Sequence, residues 1–523
     1  MIHHKKTFYF VNSNDDNVMD IQKNNLTPDR LPGYSDRAAT GIAGLDAILA
    51  GGLTAHRLYL VEGTPGTGKT TFGLQFLLAG AARGESGLYI TLSETASELN
   101  AVAASHGWSL KGLSLFEMID EEDLNPDYQQ SILHPSEVEL GETIKSVMAR
   151  VDELQPSRVI FDSLSEMRLL AQNPLRYRRQ ILALKHFFAT RNCTVLMLDD
   201  RTSDPGDLQL HSIAHGVITL EQSVQEFGAE RRRLRVVKMR GIKFSGGYHD
   251  FLLETGGMRV FPRLVAVDHT VEFEDATLST GVAELDTLLG GGLVRGTNTL
   301  LSGPSGVGKT TTSICCVLSA LKRGERAAYY LFDEGIGTLL IRSRALGMDI
   351  SPYIADGSLA LYQINPAEMS PGEFASRIRQ AVEREERTFV AIDSLNAYLQ
   401  AMPGEKFLLL QMHEVLTYLS VQGVTALLVL GQHGLVGEIR SDVDLSYLSD
   451  AILMFRFFEA RGDISTAVSV IKSRTNHHAR TIHEFRLSAS HGLQIGAPLQ
   501  DFEGIMSGLP SYRGKTPMLN NAG

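Results

Sequence analysis

Short apolar runs and amphipathic stretches alternate along most of this chain. The run "RLYLVEG", residues 57–63, ends at a glycine; "TTFGLQFLLAGAARG", residues 70–84, has the period of a helix and stops at Gly84; "GLYITLSE", from residue 87, is again strand-like. Further strands are predicted at "SRVIFDS" and "CTVLMLDD", followed by a β-rich stretch through "RRLRVVKMRG". Strands that alternate with helices predict an α/β fold, a mostly parallel sheet with helices on both faces. In such sheets ligands bind at the carboxyl ends of the strands, which is where chemistry is to be sought.

The pattern occurs twice. "TGIAGLDAILAGGLTAHRLYLVEGTPGTGKTT", residues 40–71, matches "TGVAELDTLLGGGLVRGTNTLLSGPSGVGKTT", residues 280–311, without a gap and with about half of the positions identical, the signature of a duplicated unit. The register persists through Gly84 and Gly324 and through Glu94 and Glu334, then slips before the segments around Asp162 and Asp393. A first domain over 36–264 and a second over 278–505 are expected, separated by the polar, acidic "VAVDHTVEFEDAT" at 265–277, with flexible tails at 1–35 and 506–523.

Composition narrows the class. At 523 residues the chain exceeds what one hydrophobic core usually spans, in keeping with two domains of about 200 to 250 residues. Hydrophobic residues make up 43% and charged residues 21%, and no apolar run approaches ~18 residues, so no membrane span is expected. The net charge of −11 disfavours nucleic acid and anionic lipid as partners. The opening "MIHHKKTFYFVNSNDDNVMD" lacks a continuous apolar segment and a small-residue cleavage site. With Cys193, Cys315 and Cys316 in no CxxC spacing, the chain reads as cytoplasmic with reduced cysteines.

Both glycine-rich loops, "EGTPGTGKTTF" and "SGPSGVGKTTT", fit G-x-x-x-x-G-K-[ST] and lie between a predicted strand and helix. Glycines let backbone N–H groups wrap a phosphate, the helix N-terminus adds positive potential, lysine neutralises the terminal phosphates, and threonine reaches Mg²⁺. The candidate ATP-cradling residues are Gly63, Thr64, Gly66, Thr67, Gly68, Lys69, Thr70 and Thr71 in the first half. In the second they are Gly303, Ser305, Gly306, Val307, Gly308, Lys309, Thr310 and Thr311. Apolar strands ending in aspartate, "RVIFDS" and "FVAIDS", supply the remaining magnesium contact, so Thr70 with Asp162 and Thr310 with Asp393 are the candidate metal residues. No NKxD-type guanine-selecting motif is visible, which favours ATP over GTP. Hydrolysis also needs a carboxylate to orient or deprotonate water. Glu94 in "LSET" and Glu334 in "LFDE" stand at equal distance from their lysines, at the end of the next strand.

These features, with "TGIAGLD", "LSET", "IFDS", "AIDS", "VVKMRG" and "VIKSR", resemble the KaiC proteins, tandem RecA-like ATPases best known from the cyanobacterial clock, from residue 36 to residue 510. The resemblance implies two RecA-like P-loop domains with ATP and Mg²⁺ as cofactors, a two-tiered homo-hexamer promoted by ATP, hydrolysis between subunits, and a second tier that phosphorylates itself. It also implies a signalling or clock-like role with a KaiB-like or other signalling protein as partner. The family's two adjacent catalytic glutamates match Ser93 and Glu94, then Asp333 and Glu334, so the second half alone keeps two carboxylates. Basic residues that reach a neighbouring subunit's phosphate match Lys238 and Arg240, then Lys472 and Arg474; i, i+2 spacing would put each pair on one face of a strand. On its own, a K-x-R pair on a strand edge is ordinary solubilising charge.

His478 matches a family histidine near the second nucleotide, where the first half has Phe244. The adjacent His477 and His478 lack the second ligand pair that zinc would need. The family's Ser-Thr phosphoacceptor dipeptide falls on Ser446 and Tyr447 in "DLSYLSDAILMF". Ser446 is therefore the candidate acceptor, and Tyr447, whose oxygen lies farther out, is not. The competing reading is a DNA-directed RecA-type motor, a recombinase or helicase relative. Against it, neither half shows a basic loop with interleaved aromatics after the Asp162 or Asp393 strand, and Arg176, Arg178 and Arg179 fit a helix surface.

Overall fold

The structure, a computed structural model, describes residues 37–118, 135–171, 173–200, 209–224, 228–400, 408–432, 446–460, 462–488, 492–505 and 511–513. Each half is built on a nine-stranded sheet. The first contains β1 (Leu58–Gly63), β2 (Gly87–Thr91), β3 (Ser114–Glu117), β4 (Arg158–Asp162), β5 (Thr194–Asp200), β6 (Gly216–Ser223), β7 (Arg231–Met239), β8 (Tyr248–Glu254) and β9 (Gly257–Phe261). The second contains β10 (Asn298–Gly303), β11 (Ala327–Leu331), β12 (Leu359–Gln363), β13 (Phe389–Asp393), β14 (Thr425–Gly431), β15 (Ala451–Ala460), β16 (Asp463–Ser473), β17 (His483–Ser488) and β18 (Gly492–Pro498).

Read from the matching edge, the orders are β9-β8-β7-β6-β1-β5-β4-β2-β3 and β18-β17-β16-β15-β10-β14-β13-β11-β12, one topology made twice. The pairs from β6 across to β3 are parallel, and β7 to β9 extend the sheet as antiparallel hairpins. The second sheet divides in the same way.

Every residue of β1, β2, β4, β10, β11 and β13 is buried, which is why these strands read as unbroken apolar runs. Alternate residues serve opposite faces. Tyr59, Val61, Ile160 and Leu196 pack in one layer, and Leu58, Leu60, Val159, Phe161 and Met197 in the other. Leu301, Tyr329 and Leu427, against Leu300, Tyr330 and Leu428, do the same in the second sheet. At about 1.5–3 kcal/mol per fully buried large side chain, these layers dominate the stability of each half.

The helix after β1 spans Lys69–Ala81, and its chain reversal is completed at Gly84, whose φ of 78° favours glycine. The repeated "TG…LD" is a brace. Thr40 donates from both backbone N and Oγ1 to Asp46 Oδ1 at 2.8 Å, and Thr280 does so to Asp286 Oδ1 at 2.7 and 2.6 Å, with both threonines fully buried.

The segment 265–277 docks on the second half. Ala266 is buried, Val271 N donates to Val421 O at 3.0 Å, and His269 Nδ1 lies 3.1 Å from Glu383. The halves also touch directly: Arg231 donates to the carbonyls of Pro366 and Ala367 at 3.1 and 3.2 Å, and Asp250 Oδ2 accepts from Gly372 N at 2.7 Å. A cavity of about 630 Å³ lies beside this contact, lined by Phe261 and Leu264 on one side and Ala375 and Leu410 on the other. Among the described residues no helix is long and apolar enough to cross a membrane.

Candidate nucleotide sites

Each glycine-rich loop leaves the carboxyl end of the central strand and feeds a helix that begins at its lysine. Gly66 and Gly68 have φ of 84° and 96°, and Gly306 and Gly308 of 79° and 99°, the left-handed conformations that fold the loop into a cradle. The first loop glycine is held by space. A Cβ on Gly63 would sit 2.6 Å from Thr67 Oγ1 and 2.7 Å from Leu220 O, and one on Gly303 would sit 2.6 Å from Phe455 O. Thr67 is buried with its hydroxyl on Thr64 O at 2.8 Å; Val307 fills the same place in the second loop.

Both lysines fold back onto their loops. Lys69 Nζ donates to Gly63 O (2.9 Å) and Thr64 O (3.1 Å), and Lys309 Nζ to Gly303 O (2.8 Å) and Pro304 O (2.6 Å). Lys69 also makes an ion pair with Asp200 Oδ1 at 2.6 Å. Burial pulls Lys309 down to about 8, with the Asp393 charge opposing the fall. A buried ammonium resting mainly on carbonyls suits the arrival of an anion.

Asp162 and Asp393 end β4 and β13 and are buried. Tyr89 donates to Asp162 Oδ2, and Tyr329 to Asp393 Oδ2 at 2.9 Å. Burial pushes both carboxyls up, opposed by these tyrosines and by hydrogen bonds from Thr70 and Thr310 respectively. Each candidate metal pair is thus brought together, with an acidic oxygen beside a hydroxyl at the helix N-terminus.

The carboxylates after β2 and β11 are held differently. Thr91 Oγ1 accepts from Glu94 N and donates to Glu94 O, both at 2.9 Å, fixing the turn. Glu94 Oε2 is shielded from solvent without a hydrogen-bond partner, and burial, then the Asp162 charge, raises this carboxyl to about 6. Asp333 accepts from Ser394 Oγ, and Glu334 pairs with Arg342 at 2.8 Å.

Arg240 and Arg474 fall one residue past β7 and β16, not on them, because the chain turns there. The pairs nonetheless converge. Lys238 donates to His211 O and Ala214 O, and Arg240 to Ser212 O at 3.0 Å. Lys472 donates to Ser449 O at 2.7 Å and Arg474 to Tyr447 O at 3.4 Å. A β-bulge between each lysine and the rest of its strand, opposite Val217–Ile218 and Ile452–Leu453, turns both residues toward one segment. That segment in the second half is Tyr447 to Ser449, overlapping the 3-10 turn Ser446–Leu448; the Ser446 side chain lies outside the described residues, and Tyr447 is exposed. His478 is half-buried in the loop after β16, next to Ala479, whose N–H donates to Leu288 O at 3.0 Å; Phe244 packs on the first core.

Sequence reasoning passed over a polar cluster at the ends of β1 and β5. Glu62 binds His211 and Thr219, both at 2.9 Å, and Asp199, pushed up to about 6 by burial, pairs with Arg168 at 2.6 Å. The available signal was the "DD" closing "CTVLMLDD", where the second half has "LG".

A family model described as "ATPase: KaiC" matches residues 38–265 and again 278–500. The circadian clock oscillator protein KaiC of Acaryochloris marina is 27% identical over 482 residues, covering 90% of this chain and 91% of the relative. That of Synechococcus elongatus is 28% identical over 488 residues, covering 90% and 91%. The circadian clock protein KaiC3 of Synechocystis is 25% identical over 482 residues, covering 91% and 95%. With one RecA-like sheet, one glycine-rich loop and one family match in each half, the chain belongs to the KaiC family of ATPases.

Proposed function

We propose that each half binds ATP with Mg²⁺ and hydrolyses it at the interface between copies of this chain arranged as a hexameric ring. The observation that carries this reading is the convergence, in both halves, of a buried loop lysine, a helix-start threonine and a strand-end aspartate. Thr70 with Asp162, and Thr310 with Asp393, would hold the metal ion, which when bound offsets phosphate charge. The loops and lysines bind and orient the phosphates. Glu94, or Glu334, takes a proton from water as its oxygen bonds to the γ-phosphorus and the bond to the ADP oxygen breaks.

Lys238 with Arg240, and Lys472 with Arg474, rest on carbonyls of their own chain and would turn to a neighbour's phosphate in the ring. His478 would lie near the second nucleotide. In the second half the same chemistry would phosphorylate Ser446 in trans, with its hydroxyl proton passing to Asp333 or Glu334. Lys472 and Arg474 bind the carbonyls of Ser449 and Tyr447, beside Ser446 in the chain, which supports this step. A cytoplasmic signalling ring with a KaiB-like partner is the setting that best suits the relatives' clock descriptions. No finding favours a DNA-directed motor.

Sedimentation with and without Mg²⁺–ATP, run beside phosphate release and intact mass, tests the reading. A ring of about six chains should assemble with ATP, because ligand that bridges subunits stabilises the assembly by mass action. A monomer at every ATP concentration excludes the ring and the clamp. Absence of phosphate on Ser446 after prolonged incubation, or phosphate that survives Lys309→Ala, excludes the kinase step.

A further inference from the structure

A carboxylate has changed place between the two halves. β1 pairs with β5 with Gly63 opposite Asp200, and β10 pairs with β14 with Gly303 opposite Gly431, so Asp200 and Gly431 are structural equivalents. Thr91 lies opposite Asp162 and Leu331 opposite Asp393, which makes Ser93 and Asp333 equivalents too. The second half has its extra carboxylate at Asp333 and glycine at 431; the first has serine at 93 and its extra carboxylate at Asp200.

The hydrogen bonds follow the exchange. Ser394, directly after the metal-site aspartate, donates to Asp333. Its counterpart Ser163 is hydrogen-bonded to Ser165, and Ser165 Oγ donates to Asp200 Oδ2 at 3.3 Å. Asn396, in the place of Ser165, instead binds the backbone of Gly431 at 2.6 and 2.9 Å. In both halves the hydroxyl after the aspartate leads to a carboxylate, directly in one and through one serine in the other.

We propose that Asp200 is the second carboxylate of the first ATP site, standing in for Ser93, and that before nucleotide arrives it is the counter-ion that holds Lys69. This rests on the ATPase reading of that site. The ion pair at 2.6 Å means that phosphate must displace Asp200 from Lys69. Lys309 makes no ion pair among the described residues, so the second site binds without that competition. Once displaced, Asp200 is a positioning residue: it orients the attacking water for Glu94, which accepts the proton, and is itself unchanged when ADP and phosphate leave. The two roles act in opposite directions on binding and turnover, which a merely structural ion pair would not do.

The test uses the full chain with the second site silenced by Lys309→Ala and Glu334→Gln. In EDTA, where no metal ion contributes, Asp200→Asn should bind a fluorescent ADP about tenfold more tightly at the first site. With saturating Mg²⁺–ATP the same variant should turn over about a hundredfold more slowly. Adding Ser93→Asp should restore most of the turnover and leave the tight binding in place, which also shows that the variant folds. Unchanged affinity and rate in Asp200→Asn, while Lys69→Ala still stops turnover, overturns the proposal and leaves the ATPase reading standing. So does slow turnover that Ser93→Asp fails to restore. A parent protein that binds nucleotide at the first site and does not hydrolyse it overturns the ATPase reading and this proposal together.

Discussion

The two glycine-rich loops have nearly the same backbone and differ in the charge carried by the strand ends around them. Around the first lie Glu62, Asp199 and Asp200, with Arg168, His211 and Lys69 as partners; around the second the equivalent strand ends carry Ser302, Leu430 and Gly431. The interiors of the strands cannot drift in this way, because both of their faces are buried in apolar layers where an unpaired charge costs several kcal/mol. At their carboxyl ends charge is tolerated because each buried group has a partner: Glu62 has His211 and Thr219, and Asp199 has Arg168, where the second half buries Ser302 and Leu430. Duplication therefore preserved a scaffold and left the chemistry of its two mouths free to diverge.

The largest expected effect tests whether both mouths work at all. Lys69→Ala should abolish nucleotide binding in the first half and Lys309→Ala in the second, each leaving the other site occupied, and the double variant should release no phosphate. Equilibrium dialysis with labelled ATP, beside a phosphate assay, reads both; hydrolysis by the double variant breaks the equivalence of the loops.

Next in size is Glu94→Gln with the second site silenced. Loss of a positioned proton acceptor should lower turnover by a factor of about 10² to 10⁴ with ATP affinity nearly intact. Equal loss of affinity and rate would mean that Glu94 binds and does not act on water.

A smaller, graded effect comes from pH. Burial and then Asp162 raise Glu94 to about 6, and the acceptor must be ionised. Turnover by the first site should be level above that value and fall as pH drops through it, approaching tenfold per unit. A profile flat down to pH 5 would remove Glu94 as the acceptor.

The smallest effect probes the scaffold. Thr40→Val and Thr280→Val each leave a carboxylate oxygen of Asp46 or Asp286 without its hydroxyl donor, and each should destabilise the protein by about 1–3 kcal/mol in urea unfolding. Similar costs would sharpen the contrast between a shared scaffold and divergent mouths; a large difference would blunt it.

Much of this was legible along the chain. Alternation of apolar runs with helical periods marked the parallel sheets, and the two gapless copies of the glycine-rich loop pointed to both cradles. The brace hidden in "TGIAGLD" was legible as a recurrence and not as a cause: it takes the fold to show Thr40 and Asp46 turned toward each other. The strand ends at Arg240 and Arg474 were missed by one residue, since the bulges that turn each basic pair onto a single segment leave no mark in a K-x-R spacing.

What the sequence determined by itself is whatever depends on near neighbours: the loop conformation, set by glycines a few residues apart, the helix that starts at each lysine, and the aspartate at the end of an apolar strand. Sheet order belongs to the tertiary structure, because β5 and β14 reach the chain late yet lie beside the central strands β1 and β10. That order alone sets Asp200 against Lys69 and Gly431 beside Gly303. Pairing between strands distant in the chain is chosen by which faces can be buried together, and the charges at their ends are carried to their partners by that choice.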